Sequence, residues 1–349
     1  MKYYIFTLGC QYNIYESEQI EKKLSKIGLK KAADEKSATF IVTNVCSVRQ
    51  KPIDRIYGKL KVWKKLKETN PELKTIATGC ILPRDKKLFK QKFDLVFNIG
   101  ELDKLSKFIK KETNNLSSIS KLEYTSNNKK VGYIPITSGC NNFCSYCAVP
   151  YTRGREKSFP KKQIIKTARD LIQSGKKEIV LLGQNVNSYK YGFAKLLAEI
   201  ANINGNFKLS FLSPHPKDTT PELIKVIAKN KKIKKELHLP MQSGNNRILK
   251  LMNRNYTRED YLKLVDMIRK IIPNIRLTTD IIVGFPSETK KEFEDTYKIC
   301  KKIKFGKAYI SMYSPRPSTI AAKKYKDAID QKEKRRRWLK LDKLINHKA

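Results

Sequence analysis

The sequence has no apolar segment long enough to cross a bilayer, and no secretory signal precedes its first cysteine. Its opening residues, MKYYIFTLGC, contain an apolar run that is too short for the hydrophobic region of a signal peptide. Both absences favour a cytoplasmic protein, in which thiols stay reduced. Clustered cysteines in that compartment bind metal more often than they form disulfides.

Acidic residues are scarce as well. The 349 residues include 33 Asp and Glu against 74 Lys and Arg, which gives a net charge of +41. Hydrophobic residues make up 40% of the chain, enough for a globular protein of about two domains. The positive surplus predicts association with a polyanion, RNA or DNA. A compositionally biased genome is the alternative explanation, and the charge does not separate RNA from DNA.

The sequence lacks a histidine metal-binding motif, because its three histidines are too far apart to match the spacing of one. They are His215, His238 and His347. One short stretch, GCNNFCSYC at 139–147, instead places three cysteines together: Cys140, Cys144 and Cys147. Zinc would need a fourth ligand, and the next cysteine is Cys300. A ferredoxin run would continue with a cysteine and a proline, whereas Ala148 and Val149 follow here. The spacing therefore predicts a 4Fe–4S cluster on three thiolates, with one iron open to a non-protein ligand.

The chain alternates predicted strands and helices in two regions. The first contains the strands YYIFTLG, ATFIVTN, LKTIATG and FDLVFNIG, with helices at about Glu16–Ile27 and over PIDRIYGKLKVWKKLKE. Alternation of this kind predicts a parallel sheet covered by helices. A polar stretch at 112–130 predicts a linker, which gives a domain at 1–111, a second at 131–322 and a basic terminal helix at 323–349. The second region has about six strand–helix units, which suits a complete or incomplete barrel.

Three further cysteines each follow a predicted strand of the first region: Cys10, Cys46 and Cys80. Because the carboxyl ends of parallel strands share one edge of a sheet, we expect these thiols to meet in space. Gly9 and Gly79 precede two of them and would allow the backbone to approach a bulky group. Three independent core cysteines are the alternative.

The loop C-x-x-x-C-x-aromatic-C resembles the signature of the radical S-adenosylmethionine enzymes, whose open iron is chelated by S-adenosylmethionine. With the three upstream cysteines, the chain resembles the methylthiotransferase family within that superfamily. Its local sequence motifs are similar to those of the branch that acts on N6-dimethylallyladenosine in tRNA. The segments that carry the resemblance are TLGCQYNIYESE, TNVCSVRQKP, SGCNNFCSYCAVPYTRGREKSFP, LLGQNVNSY, SPHP, LHLPMQSGNNRILKLMNRNYTREDY, TDIIVGFPSET and YSPRPSTIAA.

The resemblance implies an α/β chain with a flavodoxin-like or Rossmann-like domain followed by a partial TIM barrel. The TRAM-type β-barrel that usually ends such chains is expected to be absent. The implied reaction adds a methylthio group to C2 of N6-(dimethylallyl)adenosine at tRNA position 37, next to the anticodon. The cluster on the second set of cysteines would generate a radical from S-adenosylmethionine, and the cluster on the first set would supply sulfur. N6-threonylcarbamoyladenosine, a ribosomal-protein aspartate, and a non-catalytic RNA-binding role stay open as alternatives.

The same resemblance implies roles for residues beyond the six cysteines. Four would contact S-adenosylmethionine: Tyr146, Gly183, Gln184 and Gly284. From their place beside the cluster loop, Arg153 and Arg155 are expected to pair with RNA phosphate or with the cofactor's carboxylate, with solvated side chains as the alternative. The implied partners are the tRNA anticodon stem-loop and a low-potential electron donor, a flavodoxin or ferredoxin. From the residues alone, Cys300 is expected in the core, and the run KEKRRRWLK is expected to be a solvated helix face or a phosphate contact.

Overall fold

A computed structural model of the chain describes residues 1–113 and 130–347. The chain divides into two compact units, Met1–Lys129 and Lys130–Ala349. No helix in the described part of the chain is long and apolar enough to span a membrane. The predicted linker at 112–130 falls mostly on residues 114–129, which lie outside the described residues; Glu112 belongs to the last helix of the first unit.

The first unit is a five-stranded parallel sheet in the order β2-β1-β3-β4-β5. This is the flavodoxin-like order, with its topological switch point between β1 and β3. Its strands are β1 (Lys2–Thr7), β2 (Lys30–Lys31), β3 (Phe40–Cys46), β4 (Lys74–Cys80) and β5 (Leu95–Val96). Its helices are α1 (Gln11–Lys26), α2 (Gln50–Thr69), α3 (Pro83–Phe89) and α4 (Leu102–Glu112), with a 3₁₀ turn at Ile99–Glu101.

Helices cover both faces of this sheet, so the central strand is buried throughout. All seven residues of β3 are buried, and they alternate between two apolar clusters. Ile41 and Val45 face the cluster built on α2 and α3, whereas Phe40 and Val42 face the cluster built on α1 and α4. This arrangement explains why the strand sequence FIVTNVC is mostly apolar, with Thr43 and Asn44 as its two buried polar residues.

The second unit contains six parallel strands that follow one another in space. The order is β6-β9-β10 in one sheet and β11-β12-β13 in another, and a parallel bridge between Leu209 and Ile233 joins the two. The strands are β6 (Val131–Pro135), β7 (Thr137–Ser138), β8 (Lys157–Ser158), β9 (Glu178–Leu182), β10 (Lys208–Phe211), β11 (Glu236–His238), β12 (Arg276–Val283) and β13 (Lys307–Met312). Sequential neighbours of this kind form the arc of an incomplete barrel, with the antiparallel pair β7 and β8 beside it.

One apolar core lies between the barrel strands and the surrounding helices. Alternate strand residues such as Ile179, Leu209 and Leu277 point into it. The helices are α5 (Val149–Arg153), α6 (Lys161–Gln173), α7 (Phe193–Ala201), α8 (Pro221–Lys229), α9 (Asn246–Leu251), α10 (Arg258–Ile271), α11 (Lys290–Ile303), α12 (Ile320–Lys324) and α13 (Gln331–Ile345), with a 3₁₀ turn at Pro216–Asp218. Helix α13 packs against β13 and α11, which closes this side of the core.

Two predicted elements differ from the structure. Helix α1 begins at Gln11, five residues before the predicted start at Glu16, because Cys10 is extended and acts as its N-cap. Asn13 completes a capping box there, a role that the sequence pattern T/S-x-x-E does not describe. The predicted strand FDLVFNIG is reduced to Leu95–Val96 at the sheet edge, because the chain enters a 3₁₀ turn capped by Asn98 that begins at Ile99.

Candidate metal centres

The first cysteine set lies at the carboxyl edge of the flavodoxin-like sheet, at its switch point. Cys10 follows β1 and caps α1, whereas Cys46 and Cys80 end β3 and β4 and are register partners. Cys46 and Cys80 are buried, and Cys10 is exposed. Three thiols that are far apart in sequence are thus brought to one edge of one sheet, as the strand pattern indicates.

A buried amide that the sequence analysis missed lies among these thiols. Asn13 Oδ1 accepts a hydrogen bond from Cys10 N at 3.2 Å and lies 3.5 Å from Cys10 Sγ. Its Nδ2 is 4.0 Å from Cys80 Sγ and 3.0 Å from Oδ1 of Asn44, which is also fully buried. Both asparagines lie within segments that carry the family resemblance, TLGCQYNIYESE and TNVCSVRQKP, but their pairing depends on α1 lying against β3 and has no signal in the sequence.

The second cysteine set occupies one loop after β7, and three kinds of contact fix the loop. Gly139 has φ +80°, and a Cβ there would lie 2.2 Å from the main-chain O of Arg155, so only glycine fits. The side chain of Asn253 donates to the carbonyls of Asn142 and Phe143 at 3.1 and 3.0 Å. Ser145 N donates to Met252 O at 2.9 Å. The segment at 251–253 therefore holds the cysteine loop in shape.

N–H donors point at two of the three sulfurs of this loop. Asn142 N donates to Cys140 Sγ, and Arg254 Nη1 donates to Cys144 Sγ, both at 3.5 Å. Arg254 is buried, and its other partners are neutral: Pro240 O at 3.0 Å and Tyr256 Oη at 3.0 Å. No carboxylate pairs with it among the residues that the structure describes. A buried guanidinium without a carboxylate is costly, so this one favours a bound anion beside Cys144.

N–H donors favour the thiolate form of a cysteine, whereas burial favours the neutral thiol. Desolvation raises the pKa of Cys140 and raises the pKa of Cys147 to about 12, with the neighbouring Cys144 adding to the second effect. Desolvation also holds the pKa of His215 at about 2, so this histidine stays neutral. Iron is bound by thiolates, so a metal loaded here must displace protons from the sulfur atoms.

Both cysteine sets fit an iron–sulfur cluster held by three thiolates. Each consists of three sulfur donors, the ligands that such clusters prefer. Two N–H groups donate to sulfur atoms of the second set, and the Asn13 Nδ2 group lies 4.0 Å from Cys80 Sγ in the first. Within residues 1–113 and 130–347, no group of three or more His, Cys, Asp or Glu side chains is arranged to hold a single metal ion.

The residues predicted to contact S-adenosylmethionine lie around the second set. Gln184 Oε1 accepts from Gly139 N at 2.7 Å, which joins the end of β9 to the start of the cysteine loop. A Cβ on Gly183 would lie 2.1 Å from Thr137 Oγ1. Tyr146 packs against the apolar cluster that contains Phe285, the residue after Gly284.

Gly284 has a packing role that the sequence did not indicate. It has φ +67°, and a Cβ there would lie 2.4 Å from Cγ of Lys334 in helix α13. Its N–H donates to Glu288 Oε2 at 2.7 Å, and Arg337 Nη1 donates to the same oxygen at 2.7 Å. Helix α13 therefore fills the space beside this glycine.

The expectation that KEKRRRWLK forms a solvated face or a phosphate contact is wrong for two of its cations, Lys334 and Arg337. Lys334 and Arg337 are buried, Lys334 paired with Asp327 and Arg337 with Glu288. They are therefore not available to RNA. Cys300 is buried in the barrel core, as expected.

The two predicted arginines follow the cysteine loop in the chain, at the end of helix α5 and just after it. Arg155 lies over the ring of Phe143, at 4.4 Å from its centroid. Arg153 is the last residue of helix α5.

Comparison with known proteins agrees with this geometry. Residues 134–300 match the family described as Radical SAM superfamily, and residues 2–100 match Uncharacterized protein family UPF0004. A tRNA-2-methylthio-N(6)-dimethylallyladenosine synthase of Carboxydothermus hydrogenoformans is 40% identical over 99% of this chain and 83% of its own length. A protein of the same name from Fusobacterium nucleatum is 43% identical over 91% of this chain and 78% of its own length.

A solved structure shows the same fold across both units. The radical S-adenosylmethionine methyltransferase TsrM from Kitasatospora setae matches with a TM-score of 0.67 and 12% identity, over 92% of this chain and 77% of that chain. At such low identity this match supports the fold alone. The identity and coverage of the curated relatives show that the chain belongs to the radical S-adenosylmethionine methylthiotransferase family.

Proposed function

We propose that this protein adds a methylthio group to C2 of N6-(dimethylallyl)adenosine at position 37 of tRNA. The observation that carries the proposal is the pair of three-cysteine sets, one in each unit, at or beside the carboxyl ends of parallel strands. A single cluster would suffice to generate a radical. A second set of three thiols supports a reaction that also needs a source of sulfur, and the curated relatives carry the name of such a synthase.

The second set would hold the 4Fe–4S cluster that cleaves S-adenosylmethionine. When bound, that cluster and its cofactor supply the radical that opens an unactivated C–H bond. The protein's part is to hold and orient them. Cys140, Cys144 and Cys147 provide the thiolates, while Arg254 supplies a buried positive charge for the cofactor's carboxylate or the cluster. Gln184 fixes the loop at Gly139.

The first set would hold the cluster that donates sulfur. Cys46 and Cys80 are fixed by the paired ends of β3 and β4, and Cys10 is fixed as the cap of α1. The exposure of Cys10 leaves that side of the set open to a substrate. Burial of the other two thiols limits access of solvent to the sulfur atoms.

The charge of the protein supports a tRNA substrate. A net charge of +41 favours binding to a phosphate backbone, and binding of that kind weakens as salt is added. We place the reaction in the cytoplasm, where the anticodon stem-loop is accessible, with a flavodoxin or a ferredoxin as the electron donor. The affinity for tRNA is expected to fall linearly on a plot of log K against log salt; a flat plot argues against an RNA substrate.

The deciding experiment uses anaerobically reconstituted protein, S-adenosylmethionine, a reductant and tRNA that contains N6-(dimethylallyl)adenosine. Mass spectrometry of the digested tRNA should show the 2-methylthio product, together with 5′-deoxyadenosine. Formation of 5′-deoxyadenosine without a change in this nucleoside would overturn the substrate. Absence of 5′-deoxyadenosine from protein that carries both clusters would instead favour a non-catalytic RNA-binding role.

A further inference from the structure

Two fully buried asparagines, Asn13 in α1 and Asn44 in β3, lie beside the first cysteine set. Asn13 Nδ2 donates to Asn44 Oδ1 at 3.0 Å, and Asn44 Nδ2 donates back to the main-chain O of Asn13 at 2.8 Å. Apolar side chains would join the helix to the strand without the cost of desolvating two amides. Packing alone therefore does not account for this pair.

The amide of Asn13 reaches each of the three segments that carry a cysteine. Its Oδ1 accepts from Cys10 N at 3.2 Å. Its Nδ2 lies 3.5 Å from the main-chain O of Val45, the residue before Cys46. The same nitrogen lies 4.0 Å from Cys80 Sγ. One side chain is thus positioned to set the separations among all three ligands.

The glycines before two of the cysteines are explained by these amides. Gly9 has φ +151°, and a Cβ there would lie 2.1 Å from Asn13 Oδ1. Gly79 has φ +107°, and a Cβ there would lie 2.4 Å from Asn44 Oδ1. The Asn13 side chain approaches the backbone at Gly9, and the Asn44 side chain together with the main chain of Val45 approaches it at Gly79. The loops are therefore shaped around the amide pair.

One of the two Nδ2 hydrogens of Asn13 has no short acceptor among its contacts. Asn44 accepts the first at 3.0 Å, and three longer contacts compete for the second: the Glu16 carboxylate Oε2 at 3.4 Å, Val45 O at 3.5 Å and Cys80 Sγ at 4.0 Å. A thiol sulfur is a weak acceptor, whereas a thiolate sulfur is a charged and much stronger one. Ligation of iron by Cys80 would therefore give this hydrogen a good partner.

We infer that Asn13 is a positioning residue for the cluster on Cys10, Cys46 and Cys80, and that its second Nδ2–H donates to the Cys80 sulfur. The inference rests on the proposed assignment of these cysteines to a 4Fe–4S cluster. An N–H···S bond stabilises the more negative, reduced state of a cluster and raises its reduction potential. Asn44 holds the amide in the orientation that this bond requires.

The test is an anaerobic redox titration of the first cluster, monitored by electron paramagnetic resonance. Substituting the second set (Cys140, Cys144 and Cys147) by Ala leaves the first cluster as the sole signal. In that background, Asn13→Leu removes the amide, and Asn13→Asp keeps an acceptor for Cys10 N but removes the donor. Ser17→Ala is the matched control, because Ser17 Oγ accepts from Asn44 Nδ2 at 3.1 Å in the same buried network.

At the wild-type midpoint potential, the ratio of reduced to oxidised cluster should fall about threefold to tenfold in Asn13→Leu, which adds no charge, and further in Asn13→Asp, whose carboxylate also disfavours the reduced state. Tenfold corresponds to about 59 mV for a one-electron couple. The ratio should change less than about twofold in Ser17→Ala, even if that variant unfolds at lower temperature. Unchanged midpoints in the Asn13 variants would refute the inference.

A second measurement covers the case in which the Asn13 variants fail to load iron. Protein with Asn13 intact is labelled with ¹⁵N in the asparagine side chains, and the reduced first cluster is examined by pulsed electron paramagnetic resonance. A resolved coupling from one side-chain nitrogen supports the hydrogen bond, and its absence overturns it. If the unsubstituted set binds no cluster at all, the sulfur-donor assignment itself fails.

Discussion

The buried ion pair between Arg337 and Glu288 should be one of the most sensitive points of the barrel unit. Their side chains are 3% and 1% exposed, and Arg337 Nη1 lies 2.7 Å from Glu288 Oε2. Arg337→Met would leave that carboxylate buried with one strong donor, the N–H of Gly284. Breaking a buried pair by removing one partner costs about 3–5 kcal/mol. For a unit of roughly 200 residues, each kcal/mol lowers Tm by about 2–4 °C, so we expect a loss of about 6–20 °C.

The measurement is thermal unfolding followed by circular dichroism, with all variants prepared at the same iron content. Arg336→Met is the matched control, because Arg336 is 51% exposed and pairs with Glu333 on the same helix. An exposed pair of this kind contributes about 1 kcal/mol at most. The double variant Arg337→Met/Glu288→Leu removes both charges and should recover part of the lost stability. A single variant within 1 kcal/mol of wild type, or a double variant that is less stable than the single, would refute the reasoning.

The pH dependence gives an independent check. Burial raises the pKa of Glu288 above its ordinary value, and Arg337 and the Gly284 N–H oppose that effect. A carboxyl with a raised folded-state pKa gives stability that is present below its unfolded value of 4.5 and is lost as the pH rises through the folded value. Without Arg337 the pKa of Glu288 in the folded state is raised further, because one of the two groups that oppose the effect of burial is gone. The deficit of Arg337→Met should therefore be greater at pH 8 than at pH 5.

Three further predictions concern the two clusters and the acid stability of the barrel unit. Cys144→Ala should abolish 5′-deoxyadenosine formation while iron remains on the first set, as counted by iron and sulfide analysis; joint loss of both clusters would contradict separate sites. Cys46→Ala should keep S-adenosylmethionine cleavage but stop thiolation of tRNA, and normal product by mass spectrometry would exclude the donor role. The hydrogen bond from Arg247 lowers the pKa of Glu292 to about 2, so after solvent screening their half-exposed pair should stabilise the fold above pH 4.5 by about 1 kcal/mol at most and lose that stability as the pH falls toward 2. Urea unfolding of Arg247→Met should show a weaker acid dependence than wild type, and equal curves would contradict the pair.

The sequence predicts the placement of both cysteine sets because each depends on a regular feature of folding. Strand ends of a parallel sheet share an edge, which brings Cys10, Cys46 and Cys80 to one place. The cysteines of the second set lie within eight consecutive residues, so the sequence alone shows that they share one loop. Neither prediction needs a side-chain contact.

The residues that support those cysteines could not be predicted in the same way. Asn13 and Asn44 are 31 positions apart and are recognisable as a pair only when α1 lies on β3. Arg254 approaches Cys144 from 110 positions away. A polar residue carries no mark in the sequence that tells whether its partner is solvent or a distant buried group.

Charge runs are the least reliable of these patterns, as the terminal helix shows. Successive residues of the helix point in different directions, so within KEKRRRWLK the side chain of Arg336 is exposed and that of Arg337 is buried. The acidic partner of Arg337 lies 49 positions earlier, in the loop that carries Gly284. A positive surplus therefore does not translate residue by residue into RNA contacts, and some of these cations stabilise the loop next to the proposed cofactor site.

The two cysteine sets differ in how they are assembled, and this difference predicts different sensitivity to distant mutations. The second set is held by its own loop and the adjoining segment at 251–253, whereas the first exists only while β1, β3 and β4 are packed together. Trp63 is 1% exposed in the core of the first unit, and Trp63→Ala should cost about 3–5 kcal/mol there. Iron on the first set should then fall while S-adenosylmethionine cleavage on the second persists. Equal loss of both clusters would mean that the sets do not depend on separate cores.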